Sequence, residues 1–496
     1  MATPWDGRPS AWLQLLGLGL LAWQLDRCRR PAYGAWLGWV FTTTWLSGTF
    51  WWMFIAMYTY AGLAAWLAAL AVVALAAVLA LYYSLATAAF VALRPTSSIG
   101  SAVLFGALWL LAELARGVWF TGFGWGAAGY AHVDGLARFA QFVGAYGVAT
   151  MVAFIASLTA FWLARPARRK RLWMPSLVLA IGALMFWSPG SFTRAVATMP
   201  VALLQGNIPQ DEKFQPGTGV VDALRWYGQE LSMATAPLVV APETAIPLLP
   251  QDLPDGYWSS LRRRFEQGDQ AVMLGIPLVS QRGGYTNSVV AIKPAGSAAT
   301  RTADDLYRYD KHHLVPFGEF IPPFFRWFTT MMHIPLGDFE RGSVGQDSFE
   351  WQGQRLAPNV CYEDLFGEEL GQRFRDPAKA PTIFVNVSNI GWFGNTVAID
   401  QHLNISRMRA LEFGRPFIRA TNTGDTVIID HTGRVTHALA RHTRGVLLGE
   451  VQGRDGITPY AWWVSHAGLW PLWLLAAGVV VAAAYARRRG LGIEAP

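Results

Sequence analysis

The sequence predicts a membrane helical bundle joined, in one chain, to a large α/β domain. Three observations carry this. The 496 residues are 53% hydrophobic with 24 Trp and a mean hydropathy of +0.26, too apolar for an ordinary soluble protein. Apolar segments of near bilayer-crossing length crowd the first 189 residues and recur after 466. Between them, short apolar runs alternate with polar, helix-like stretches, as in a layered α/β fold. The chain therefore divides into a bundle of about six spans (1–189), an α/β domain (190–465) and a final span with a basic tail (466–496).

Taken in order, the spans are expected at about 11–26, 33–54, 62–93, 98–116, 143–164, 172–189 and 467–486. The long third one is expected to tilt, or to bend near Tyr82-Tyr83-Ser84. The first is not expected to be a cleavable signal, because no basic stretch precedes it and no A-x-A-like site follows. The net charge of +7 lies largely in clusters flanking spans: Arg27, Arg29 and Arg30; Arg165, Arg168, Arg169, Lys170 and Arg171; Arg487, Arg488 and Arg489. Membrane orientation accounts for such clusters, and the nucleic-acid reading is set aside. If the clusters are cytoplasmic, residues 190–465 face the periplasm or cell exterior. No ionisable residue stands at an evident midplane position, which argues against a transporter. Glu113 and Arg116, near the end of a span, are expected to form an i,i+3 interfacial pair, with a phospholipid headgroup contact as the functional alternative. The glycine-rich TGFGWGAAGY at 121–130 is expected to be an interfacial re-entrant loop; it lacks the lysine of a phosphate-binding loop.

In the α/β domain, MPVALLQGNI, APLVVAPETAIP, QAVMLGIPLV, NSVVAIK, QRLAPNVCYED, APTIFVNVSNIGWF, RPFIRATNTGDTVIID and GVLLGEV read as strands. Helices are expected at 218–235, 255–268, 363–375 and 400–413. Three strand ends carry reactive groups: Glu243, Lys311 and Cys361. Together they suit acyl transfer. A carboxylate can take the thiol proton, and a lysine can favour the thiolate and steady an oxyanion. Glu363 and Asp364 would begin a helix just after the cysteine. The only other cysteine, Cys28, is expected on the opposite side of the membrane, so no disulfide forms. The segment 317–339, rich in Phe, Trp, Met and Pro, is expected to be an apolar arm that admits lipid. His312-His313 lacks a second His or carboxylate at ligand spacing, so neither metal nor cofactor is expected.

The ordered set APETAIP, YDKHHLVPFGEFIP and NVCYED, with LLQGNIPQ, SNIGWFG and HLNISRMRALEFGRPFIRATNTG, resembles the nitrilase superfamily of carbon–nitrogen hydrolases. With spans on both sides, the chain is similar to its lipoprotein N-acyltransferase branch. That resemblance implies an αββα sandwich domain on the periplasmic side of a bacterial inner membrane. It implies Cys361 as nucleophile, Glu243 as general base and Lys311 as oxyanion stabiliser. Glu319 matches a second glutamate of the family, Tyr362 and Glu363 its residues beside the cysteine, and Trp392 lies in the SNIGWFG block. The implied partners are a phospholipid acyl donor, with phosphatidylethanolamine foremost, and a diacylglyceryl-lipoprotein acceptor, served by a monomer without nucleic acid. Two departures stand out: seven spans against the family's usual eight, and Ile390 where Asp is common. The runner-up reading is a membrane-anchored amidase acting on a small amide.

Overall fold

The computed structural model describes residues 6–164, 190–295, 306–321 and 339–492. The basic cluster at 165–171, the span expected at 172–189 and residues 322–338 of the expected arm lie outside that set. The chain divides into two compact units, Met1–Met53 with Ala65–Gly190 and His466–Pro496, and Phe54–Ala64 with Ser191–Ser465.

The first unit is helical. Four of its described helical segments are long and apolar enough to cross a membrane: Ala65–Leu93, Ser98–Thr121, Leu136–Ala164 and Trp470–Arg489. Ala11–Arg27 and Pro31–Phe50 are also helices; the first, at 17 residues, is short for a crossing. Local chemistry sets the ends. Pro31 occupies a first-turn position, where a missing N–H costs nothing, and the Ser97 side chain accepts from Gly100 N at 3.0 Å. Pro31–Phe50 and Ala65–Leu93 approach closely. A Cβ at Gly38 would stand 2.1 Å from the Thr87 hydroxyl, so only glycine fits there. The bend expected near Tyr82 is absent. Ala65–Leu93 is one unbroken helix because its Ala and Leu neighbours hold the tyrosine pair helical.

Glu113 and Arg116 do not form the expected interfacial pair. Arg116 Nη1 donates to the carbonyls of Phe123 and Trp125, both at 2.6 Å, and its Nε donates to the Tyr83 hydroxyl at 3.1 Å. Glu113 Oε1 accepts from Ala128 N at 2.9 Å and Trp109 Nε1 at 3.0 Å. The two side chains thus clamp the glycine-rich loop, most of which is buried. A loop without regular structure leaves backbone groups that need such partners. Arg116→Met should therefore cost about 3 kcal/mol. Thermal unfolding in detergent, with Tm lowered by several degrees, checks this.

The second unit is a sandwich of two six-stranded sheets. The first sheet uses β1 (Thr193–Gln205), β2 (Leu238–Val240), β3 (Ala271–Val279), β4 (Tyr285–Ile292) and β5 (Tyr307–Asp310), with β12 (Gly445–Gly456) beside β1. The second uses β6 (Phe349–Trp351), β7 (Gln354–Val360), β8 (Ile383–Ser388), β9 (Phe417–Thr421), β10 (Val427–Ile429) and β11 (Val435–Ala438) in sequential order. Strands β1, β2 and β3 pair parallel, as do β7, β8 and β9. Alternation along the strands builds two apolar layers. Val201, Leu203, Leu238, Val240 and Met273 face Val385, Val387, Ile418 and Ala420 across the sandwich. Ala202, Leu204, Val239, Val272 and Leu274 turn outward onto Val220, Leu224, Leu231, Leu261 and Phe265 of helices Gly219–Met233 and Tyr257–Glu266. On the other sheet Phe384 packs on Phe413 of helix Ala398–Phe413, with ring centroids 5.5 Å apart. This is the αββα order that the resemblance implied.

The expected helix at 363–375 is broken. It consists of a one-turn 3-10 helix at Cys361–Leu365, a short α-helix at Gly367–Gly371 and a second 3-10 turn at Gln372–Phe374. The acidic side chains that signalled a helix start turn inward and serve tertiary contacts.

Candidate active site

Glu243 follows β2 and Lys311 follows β5. These strands run in the same sense, because β4 is antiparallel to both β3 and β5. Chain segments leaving the carboxyl ends of parallel strands commonly form sites. The backbone around Glu243 is zipped onto β3 by Ala241 N to Met273 O at 2.9 Å and Ile246 N to Gly275 O at 3.2 Å. A Cβ at Gly275 would lie 2.6 Å from Glu243 Cα and 2.5 Å from Pro242 O. Glycine there lets the glutamate backbone lie against the neighbouring strand.

Three of the residues singled out in the sequence converge. Lys311 Nζ donates to Glu319 Oε1 at 2.9 Å and to Glu243 Oε1 at 3.4 Å. Asn287 Nδ2, on β4, bridges the same two carboxylates at 2.7 and 2.8 Å. The other oxygens are tied to backbone: Glu243 Oε2 accepts from Asn389 N at 2.8 Å, and Glu319 Oε2 from Val315 N at 2.8 Å. Lys311 is 1% exposed and Glu243 7%, so these bonds act with little screening by water. The two carboxylates push the Lys311 ammonium above its ordinary value, against the opposing effect of burial.

Cys361 ends β7 within electrostatic reach of Glu243, Lys311 and Glu319. Burial, then the Glu243 charge, pushes its thiol up to about 12, so at neutral pH it rests protonated. Its φ of +52° is left-handed and unfavourable for a residue with a Cβ. Two donors fix the carbonyl that this conformation presents: Asn386 Nδ2 and His402 Nε2, both at 3.1 Å. Arg419 Nη2 donates to His402 Nδ1 at 3.0 Å, which places the imidazole proton on Nε2. The same Nε2–H faces Asp364 Oδ1 at 3.0 Å. His402→Phe should take one partner each from Asp364 and Arg419, which keep Ser406, and cost about 3 kcal/mol. Thermal unfolding reads the stability loss, and a slower acylation of the cysteine should accompany it.

The remaining expected residues surround this centre. Glu363 is buried and collects four donors: Val360 N and the Tyr309 hydroxyl at 2.7 Å on Oε2, His312 N at 2.6 Å and His313 N at 3.1 Å on Oε1. It ties the loop after Lys311 to the turn at Cys361. Tyr362 packs tilted against His313 and edge-on to Phe366, at centroid distances of 5.6 and 5.2 Å. Trp392 stands edge-on to Tyr60, at 5.6 Å, and the Tyr60 hydroxyl donates to Gly391 O at 3.3 Å. His313 Nδ1 meets Glu369 Oε1 at 2.9 Å, and His312 Nδ1 meets Gly342 O at 2.7 Å. Phe339 N donates to Glu319 O at 2.9 Å. Asn287, Asn386 and Lys213 were not singled out in the sequence. The signal for Asn287 was a polar residue inside an apolar strand; Lys213 sits in a charged run that reads as surface.

Sequence comparison fits this geometry. A profile of the carbon-nitrogen hydrolase family matches residues 200–458, and one of the apolipoprotein N-acyltransferase N-terminal domain matches residues 1–158. An apolipoprotein N-acyltransferase of Verminephrobacter eiseniae is 57% identical over 95% of this chain and 90% of its own length. One of Ralstonia nicotianae is 44% identical over 97% and 90%. Among solved structures, a nitrilase-superfamily protein of Saccharomyces cerevisiae covers 53% of this chain and 93% of its own at 14% identity and a TM-score of 0.36, which adds nothing to the sequence matches.

The sandwich and the profile match define a carbon–nitrogen hydrolase domain carried by a bacterial membrane protein. Its membrane part has a matching profile of its own, that of the apolipoprotein N-acyltransferase N-terminal domain. The chain belongs to the apolipoprotein N-acyltransferase family, and it is an acyltransferase.

Proposed function

We propose that this enzyme moves an acyl chain from a membrane phospholipid, with phosphatidylethanolamine as the main donor, to the α-amine of an S-diacylglyceryl cysteine at a lipoprotein N-terminus. It acts as a monomer in the bacterial inner membrane, with residues 190–465 on the periplasmic side. The observation that carries the reading is the buried cluster of Lys311 between two carboxylates, beside a thiol held protonated.

In the first step Glu243 takes the Cys361 proton as sulfur attacks the ester carbonyl. The carbonyl electron pair moves onto oxygen, where Lys311 stabilises it. Collapse expels the lysophospholipid alkoxide, which takes back the proton, and leaves a thioester on Cys361. In the second step the lipoprotein amine attacks the thioester, gives its proton to Glu243, and the thiolate leaves and is reprotonated. Glu319 and Asn287 fix the positions of Lys311 and Glu243, which face each other at 3.4 Å. Water is the competing nucleophile, so a dry site would favour transfer over hydrolysis of the thioester.

The experiment supplies detergent-purified protein with labelled phospholipid and a diacylglyceryl lipopeptide bearing a free amine. Labelled N-acyl peptide supports the reading. Free fatty acid without acylated peptide would point to hydrolysis instead.

A further inference from the structure

The site contains a charged group that the steps above do not use. Lys213 belongs to the segment QGNIPQDEKF, just beyond β1, where Asp211, Glu212 and Gln215 suggest an exposed turn. It is instead 2% exposed. Its backbone N–H donates to Pro209 O at 2.9 Å, which turns the side chain into the domain. There Nζ donates to the main-chain carbonyl of Glu243 at 3.0 Å. Its ammonium lies 5.9 Å from the centre of the Phe214 ring, and it forms no ion pair with any described residue. A buried ammonium with one neutral acceptor is costly to keep. Glu243 and Cys361 both lie within its electrostatic reach.

We propose that Lys213 is a second cation of the acyl-transfer site, holding the Glu243 backbone in place while its charge stabilises the Cys361 thiolate. The proposal rests on the cysteine mechanism given above. Glu243 and Glu319 present two negative charges to the single ammonium of Lys311, and Lys213 supplies the fourth charge. When the thiol proton passes to Glu243, negative charge moves to sulfur, within electrostatic reach of both lysines. Lys213 neither gives nor takes a proton in this step, so it is a positioning residue. The charged or titratable groups that face the thiol are Glu243, Glu319, Lys311 and Lys213, with Arg419, His402 and Asp364 behind its backbone. Desolvation lowers the Lys213 ammonium to about 8, against the pull of Glu243. Its charge is complete below that pH and is lost above it, so its help to the thiolate should fade on the alkaline side.

The test compares Lys213→Met, Lys213→Gln and Lys213→Arg in full-length protein carrying Cys28→Ser, so that Cys361 is the sole thiol. The first reading is the rate of Cys361 alkylation by iodoacetamide from pH 6 to 10. At pH 7 it should fall about tenfold in Lys213→Met and Lys213→Gln, the equivalent of one pKa unit, and recover in Lys213→Arg. Glutamine can still donate to the Glu243 carbonyl, so a Lys213→Gln profile that superposes on the parent would overturn the proposal in favour of a purely structural bond. If Lys213→Met fails to fold, Lys213→Gln and Lys213→Arg carry the comparison. The second reading is acyl-enzyme formation from labelled phospholipid. A parent that alkylates but never acylates would sink the mechanism while leaving the alkylation comparison to decide Lys213. A parent that acylates, with Lys213→Gln unchanged in both readings, would sink only the role of Lys213.

Discussion

Cys361→Ser is expected to abolish acyl transfer, with a loss of at least about 10⁴-fold in the rate of the first step. The loss has two sources. A hydroxyl is a far weaker acid than a thiol, and this site already disfavours an anion at that atom by burial and by the Glu243 charge. Any acyl group that did reach serine would form an oxygen ester, which amines attack less readily than a thioester. Single-turnover incubation with labelled phospholipid reads both. The parent should accumulate label on the protein when the acceptor is withheld, and the variant should not. Cys28→Ser is the control. Cys28 lies in the helical unit, its thiol bonded to the Gln24 carbonyl at 3.3 Å, and its loss should leave the label unchanged.

Glu243→Gln is expected to slow acylation about 10³-fold at pH 7 and to change its pH dependence. Without the base, the reactive species must be thiolate formed by free ionisation. The thiol sits far above neutral pH, held there first by burial, so removal of the carboxylate relieves only part of the upward push. The thiolate fraction then grows about tenfold per pH unit up to the thiol pKa. The variant should therefore gain steadily between pH 7 and pH 9, where the parent gains little. A variant with a flat profile, or with parental activity, would remove Glu243 from the role of base. Glutamine keeps one oxygen, for Asn287, and loses the bond that Oε2 accepts from Asn389 N, so the pH profile and not the size of the loss identifies the base.

Much of the site was legible because its reactive groups lie at the ends of strands, and strand ends can be read from apolar runs. Glu243, Lys311 and Cys361 could be picked out as charged or nucleophilic groups placed where burial is expensive. The expected sandwich followed from the same runs and from the resemblance they carry. What stayed hidden depends on side-chain direction. Asp364 reads as a helix-start carboxylate, yet it turns inward to His402, and Glu363 turns inward to bind the loop after Lys311. The helix expected at 363–375 breaks for that reason. Lys213 sits 30 residues from the carbonyl it binds, and Asn287 is 44 and 32 residues from the two carboxylates it bridges. No local pattern records such distances. In the membrane part, hydropathy located Ala65–Leu93 and Ser98–Val118 well, but not the use of Glu113 and Arg116 as a clamp on the loop that follows them.

The short stretch Phe54–Ala64 is grouped with Ser191–Ser465, and Tyr60 within it touches Gly391 and Trp392. The catalytic half is thus encoded in two separated pieces of the gene. Exchange of a 190–465 cassette between homologues would bring a new Trp392 loop to an old Tyr60 segment. Crossover points chosen from hydropathy alone would separate residues that must be inherited together. Chimaeras that also move 54–64 should be the ones that retain activity.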